Sequence, residues 1–211
     1  MVHIGYRLEG FTMPRARIDE ILGHIRRLQL QLEQDFEQLL FEKRAQFRYT
    51  LKKGRVIFDE GVHEFHRRYR TGLWEYLRNA RLIHLLTAPV IYSVVFPLLF
   101  LDLVIFLYQQ ICFRVYGIPL VRRADYLVID RQHLAYLNVI EKFNCMYCGY
   151  GNGLIEYVRE VIARTEQYWC PIKHAHRSPN PHDRAENFAD YGDVEVYREK
   201  LKQSREALRN E

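Results

Sequence analysis

The stretch Leu82–Phe113 reads LIHLLTAPVIYSVVFPLLFLDLVIFLYQQICF. It holds no lysine or arginine, and Asp102 is its single acidic residue. A run this apolar is a membrane candidate, because ~20 apolar helical residues cross a hydrocarbon core of ~30 Å. Drawn as one helix it extends about 48 Å, more than one crossing needs, while two full crossings need about 40 residues. Pro89 and Pro97 remove backbone donors and favour kinks. Two topologies follow. One is a helix–break–helix hairpin that turns near Pro97, dips into the bilayer and returns to the same face. The other is a single tilted, kinked span. The run lies far from the first residue and no cleavage-site pattern follows it, which argues against a signal peptide.

Working outward, both flanks are basic. Arg67, Arg68, Arg70, Arg78 and Arg81 precede the run, and Arg114, Arg122 and Arg123 follow it. Short basic segments prefer the cytoplasmic side, so two basic ends favour the hairpin and cytoplasmic soluble parts. Arg78, Arg81, Arg114, Arg122 and Arg123 are candidate lipid contacts. Asp102 joins them as a candidate, because a carboxylate inside such a run is costly unless it meets water, protein or the hairpin turn. The net charge of +5 and the pI of about 9.0 are modest. Arginines beside a bilayer point to anionic lipid rather than nucleic acid, and the 15 tyrosines suit interfacial anchoring.

The sequence on either side is helical in pattern. From Pro14 to about Leu51, Ile18, Ile21, Leu22, Ile25, Leu28, Leu32, Phe36, Leu39, Leu40 and Phe47 recur every three or four residues. The spacing is close to a heptad, so this helix needs a partner, with Gly54 as its terminator. Phe58 to Arg81 is a second amphipathic stretch, and the pair predicts an antiparallel hairpin over residues 1–81, with self-association as the alternative. Residues 114–193 form the next module. Within it the reading is a short strand at Tyr126–Ile129, a helix from an Asp130 cap through Phe143, a glycine-rich break, and a helix from Leu154 to Tyr168 stopped by Pro171. Residues 177–193 read as a loop, and 194–211 as a charged helix that frays.

The distinctive chemistry lies between Cys145 and His176. Cys145-Met-Tyr-Cys148-Gly149-Tyr150 is a C-x2-C-G sequence, and Trp169-Cys170-Pro171-Ile172-Lys173-His174-Ala175-His176 follows. A tight turn can bring two such thiolates onto one ion, and three thiolates with one imidazole complete the tetrahedral shell of structural zinc. CMYCGY followed by WCPIKH resembles the two metal knuckles of rubredoxin and zinc-ribbon proteins, C-x2-C-G…C-P-x-C-G. The match covers Cys145–Tyr150 and Trp169–His174. The family's fourth cysteine has no counterpart, and His174 stands one position later. The resemblance implies a metal held by Cys145, Cys148 and Cys170, with His174 as fourth ligand, His176 as the alternative, and iron as the alternative to zinc.

Geometry sets a condition on this site. A helix over 154–166 rises about 20 Å, and the flanking linkers reach at most about 26 to 29 Å. One shared ion therefore needs both linkers nearly straight, or a short or broken helix. Otherwise the halves are separate: a Cys145–Cys148 dithiol, redox-active or disulfide-linked, and a Cys170/His174/His176 cluster that joins another chain or another part of this one. Cys112 reads as a small hydrophobe. No nucleophile–base pairing, phosphate loop or dinucleotide fingerprint is present. The expectation is a mostly α protein with a membrane segment at 82–113 and a Cys/His module contacting a membrane partner. It would act as a homo-oligomer or as a subunit of a membrane complex. A thiol-redox or electron-transfer protein is the alternative, and an enzyme acting on lipid-embedded substrate the second.

Overall fold

The computed structural model describes residues 15–211 except 53, 54, 60 and 177. The expected Gly54 terminator and the start of the first helix at Pro14 lie outside these residues. The chain divides into two compact units, residues 1–62 and 63–211.

In the first unit, α1 (Arg15–Gln46) follows the three-to-four-residue apolar spacing and leaves Ile21, Ile25, Leu28, Leu32, Phe36 and Leu39 exposed. Arg48, at a positive φ of 52°, turns the chain out of the helix. An antiparallel pair follows, β1 (Tyr49–Lys52) and β2 (Arg55–Phe58), with Tyr49 opposite Phe58 and Leu51 opposite Val56. This corrects the expected second amphipathic limb over 58–81. The β-branched and aromatic residues Tyr49, Thr50, Val56, Ile57 and Phe58 favour a strand pair. Beyond them, in the second unit, the chain makes two short helices, α2 (Val62–Arg68) and α3 (Leu73–Asn79), separated at Arg70-Thr71-Gly72.

The second unit is built around one rod. It runs from Leu82 to Tyr116 as a 35-residue helix. Its parts are α4 (Leu82–Ser93), α5 (Val95–Tyr108), a π-helical turn at Gln109–Phe113 and α6 (Arg114–Tyr116). The reversal expected near Pro97 does not form. Val94 between α4 and α5 keeps right-handed helical angles (φ −63°, ψ −18°), and Leu98 N–H still reaches Val94 O at 3.2 Å. A proline so close to a helix start removes a donor that has no intrahelical partner to lose. Gly117, with φ 70°, ends the rod.

Residues 117–138 then run back along the rod without regular structure except two 3-10 turns, at Arg123–Asp125 and Arg131–His133. No strand forms at 126–129. Asn138, rather than Asp130, caps the next helix through a reciprocal capping box with Glu141. That helix, α7 (Val139–Trp169), passes unbroken through CMYCGYGNG. The expected glycine break is therefore wrong, for a steric reason. A Cβ on Gly153 would lie 2.6 Å from the carbonyl oxygen of Tyr126, and one on Gly149 3.3 Å from that of Val128. Spaced four apart, these glycines form a notch on one helical face that admits the returning backbone.

Cys170 and Pro171 close α7 as expected. Ile172 bridges Ala189, and α8 (Val194–Arg209), capped by Asp193, folds back instead of fraying. It buries Leu208 and Ser204, which its charged sequence conceals. Ile105, Phe113, Ile118, Val121, Leu154, Tyr157, Val161 and Leu208 form the core, where rod, returning segment, α7 and α8 meet.

Candidate functional site

The rod has two unlike faces. Leu86, Val90, Phe100, Ile111 and Val115 are each more than 60% exposed, and exposed Ser93 between them turns its hydroxyl back onto the carbonyl of Val90 at 2.7 Å. The opposite side is fastened by a polar seam. Tyr92 donates to Asn144, and Tyr147 donates to the carbonyl of Ile91 at 2.8 Å. Lower down, Arg123 Nε and Nη2 grip Asp102 at 3.1 and 2.6 Å, and Tyr150 donates to the same carboxylate at 2.9 Å. Gln109, buried, donates to Tyr157 and accepts from Val121 N–H at 3.1 Å. Tyr108 and Thr165 close the seam at 2.9 Å. The partners rise together along both helices, so α7 runs parallel to the rod, with residues 117–138 returning between them.

Asp102 and Arg123, both read as lipid contacts, thus meet each other. Burial pushes the Tyr150 phenol up, and its bond to Asp102 raises it further. It stays neutral and donates. Arg122 projects outward, loosely paired with Asp125 at 3.8 Å, and Arg78, Arg81 and Arg114 are exposed.

The expected metal ligands are not brought together. Cys145 and Cys148 lie one turn apart in mid-helix, with Cβ atoms about 5–6 Å apart by helical geometry. Cys170 stands at the far end of the same unbroken helix, about 33 Å from Cys148. The straight helix thus defeats the condition that a shared ion imposes. His174 and His176 are exposed beyond Pro171. Among the described residues no three His, Cys, Asp or Glu side chains converge on one point. Burial raises the Cys170 thiol, and the neighbouring Glu166 raises it further, so it yields thiolate reluctantly.

A second cluster escaped the sequence reading. Arg184 donates to Glu160 at 2.6 Å, to Gln167 at 2.7 Å and to Glu211 at 2.7 Å, while Arg164 Nε donates to Glu160 at 2.8 Å. Burial opposes the charge on Arg184, but its bonds to Glu211 and Glu160 outweigh that and raise it. Only the Glu160–Arg164 spacing of four residues was visible beforehand. No family model, curated protein or solved structure matches this chain. Function therefore rests on the geometry alone. That geometry offers a scaffold with one largely apolar exposed face and, opposite it, a line of polar fastenings.

Proposed function

We propose that the protein is a membrane-anchored, non-enzymatic adaptor. The hydrocarbon face of Leu82–Tyr116 holds it on lipid, and the helical module on the other side contacts a membrane protein partner. The observation that carries this reading is the exposure of the rod: only 6% of its most apolar window is buried within the protein. The core helix of a soluble protein would hide that surface, since burying it in water-soluble form is worth about 25 cal/mol per Å². Arg78, Arg81 and Arg114 stand at the two ends of the rod, where they suit anionic headgroups.

In this reading the soluble parts face the cytoplasm, supported by four unpaired cysteines and the basic flanks. Self-association through α1 fits its exposed seven-residue recurrence of Ile25, Leu32 and Leu39. Flotation of the purified chain with phosphatidylcholine/phosphatidylglycerol vesicles tests the anchor. The wild type rises with the lipid, and the triple variant Leu86→Lys, Phe100→Lys, Ile111→Lys stays with the soluble fraction. Wild-type protein that remains dissolved and monomeric beside lipid sinks the proposal.

A second reading rests on the Cys145–Cys148 pair, one half-buried and one exposed. Their spacing suits a dithiol in the first half of α7, active in redox exchange or holding zinc whose remaining ligands come from a second chain. Metal analysis with an absorption spectrum separates the two. Stoichiometric zinc in a colourless oligomer supports the bridged site, and metal-free protein with a reversible Cys145–Cys148 disulfide supports the redox role.

A further inference from the structure

We infer that the rod lies in the plane of the membrane boundary, half-sunk along its whole length, rather than crossing the bilayer. This rests on the anchoring reading and specifies its geometry. A helix that crosses a membrane needs about 20 residues surrounded by hydrocarbon or by protein that seals its own polar groups. The rod meets neither condition anywhere. At the level of Asp102 the returning segment carries Arg123, Arg122 and Asp125, whose side chains are 46%, 80% and 55% exposed. At the level of Tyr92 sits Asn144, one turn from Glu141 and Lys142 of α7. Every stretch of about 20 residues that fits within Leu82–Tyr116 includes Tyr92, Asp102 or both, so every placement of a crossing carries charges into the hydrocarbon.

The backbone agrees with the charges. Residues 117–138 lie beside the rod outside α-helix and strand and are exposed at 122–125 and 128–129, and irregular backbone exposed to lipid tails is not tolerated. The division between apolar and polar surface therefore runs along the rod and not across its ends. Such a division orients a helix parallel to the surface, with its apolar side ~5–10 Å into the headgroup–acyl boundary. Two features extend the contact line. Trp74, 85% exposed on α3, and Tyr69, 68% exposed, lie just before the rod and have the amphipathic rings that settle at headgroup level.

The depth of five positions on the hydrocarbon face decides this. Leu86, Val90, Phe100, Ile111 and Val115 are replaced singly by cysteine in a background with Cys112, Cys145, Cys148 and Cys170 changed to serine. Each is spin-labelled and bound to phosphatidylcholine/phosphatidylglycerol vesicles, and depth is read from the opposing accessibilities to oxygen and a water-soluble nickel chelate. An in-plane rod gives the same shallow depth at all five positions. A profile deepest near Phe100 and rising toward Leu86 and Val115 overturns the in-plane geometry while leaving membrane anchorage intact, and points to a second copy sealing the polar face. Aqueous accessibility at every position overturns anchorage itself. If the serine background fails to fold, tryptophan at Phe100 and at Val115 in a Trp74→Phe, Trp169→Phe chain, quenched by lipids brominated at different depths, reads the same difference.

Discussion

Arg123 closes a two-pronged ion pair on Asp102 from 21 residues away, bringing the chain that leaves the rod back against its middle. The two partners are unequally placed: the Asp102 side chain is 14% exposed and that of Arg123 46%. Their deletions should therefore differ. Arg123→Met leaves a largely buried carboxylate with only the Tyr150 hydroxyl as donor and should cost about 2 kcal/mol, whereas Asp102→Leu leaves an arginine free to reach water and should cost about 1 kcal/mol, the Tyr150 hydroxyl losing its acceptor. Thermal unfolding of both variants in lipid or mild detergent checks this. Equal losses would mean that the pair is surface decoration.

The glycines of α7 should separate by their surroundings. Gly153→Ala drives a Cβ against the Tyr126 carbonyl at 2.6 Å and should destabilise by about 1–3 kcal/mol. Gly151→Ala meets only the Leu98 side-chain tip at 3.4 Å and should be neutral or stabilising by up to about 1 kcal/mol, through helix propensity. Unfolding midpoints of the two single variants give the comparison. A harmless Gly153→Ala would mean that the returning backbone does not occupy the notch.

Acid should loosen the cluster in which Arg184 joins Glu160 of α7 to Glu211. Burial favours the protonated form of Glu160, but hydrogen bonds from Arg184 and Arg164 override it and hold the carboxyl below its ordinary value of 4.5. A carboxyl depressed on folding contributes fully above its unfolded value and loses that contribution as the pH falls below it. Melting temperature between about pH 3 and 7 should therefore drop on the acid side, and Glu160→Gln should lower the plateau and flatten that drop. An unchanged acid limb in the variant would assign the loss to other carboxylates.

Cys170 should be a slow thiol. Partial burial and the negative Glu166 both raise it, so at neutral pH it presents little thiolate. Alkylation by iodoacetamide, followed residue by residue with mass spectrometry, should be slower at Cys170 than at an unstructured peptide thiol. Glu166→Gln should speed it by removing the charge. Faster reaction at Cys170 than at the peptide would contradict the placement of Glu166 beside it.

Much of the fold was legible because periodicity reports local structure directly. The heptad-like spacing of Ile25, Leu32 and Leu39 marked α1, and the apolar run marked a membrane-candidate segment, though not that it stays one helix past Pro97. Errors arose where long-range packing overrode local preference. Gly149, Gly151 and Gly153 read as a break because glycine weakens helices, yet two of them are needed for the close approach of Tyr126 and Val128. Asp102 and Arg123 were singled out individually, but their pairing depends on the return of residues 117–138, which no local pattern encodes. Cys145 and Cys148 stand apart from Cys170 because the helix expected over 154–166 extends unbroken back to Val139.

The arrangement of the rod on lipid is tested most directly by which side its two ends occupy. Single cysteines at Glu75 and at Gly117, in the serine background, are exposed to a membrane-impermeant maleimide after the protein has bound the outside of sealed vesicles. Both positions should react at once, without detergent, because a rod lying in the boundary keeps both ends on the side it arrived from. Reaction at one position, with the other protected until the vesicles are opened, would contradict the in-plane arrangement and establish a crossing.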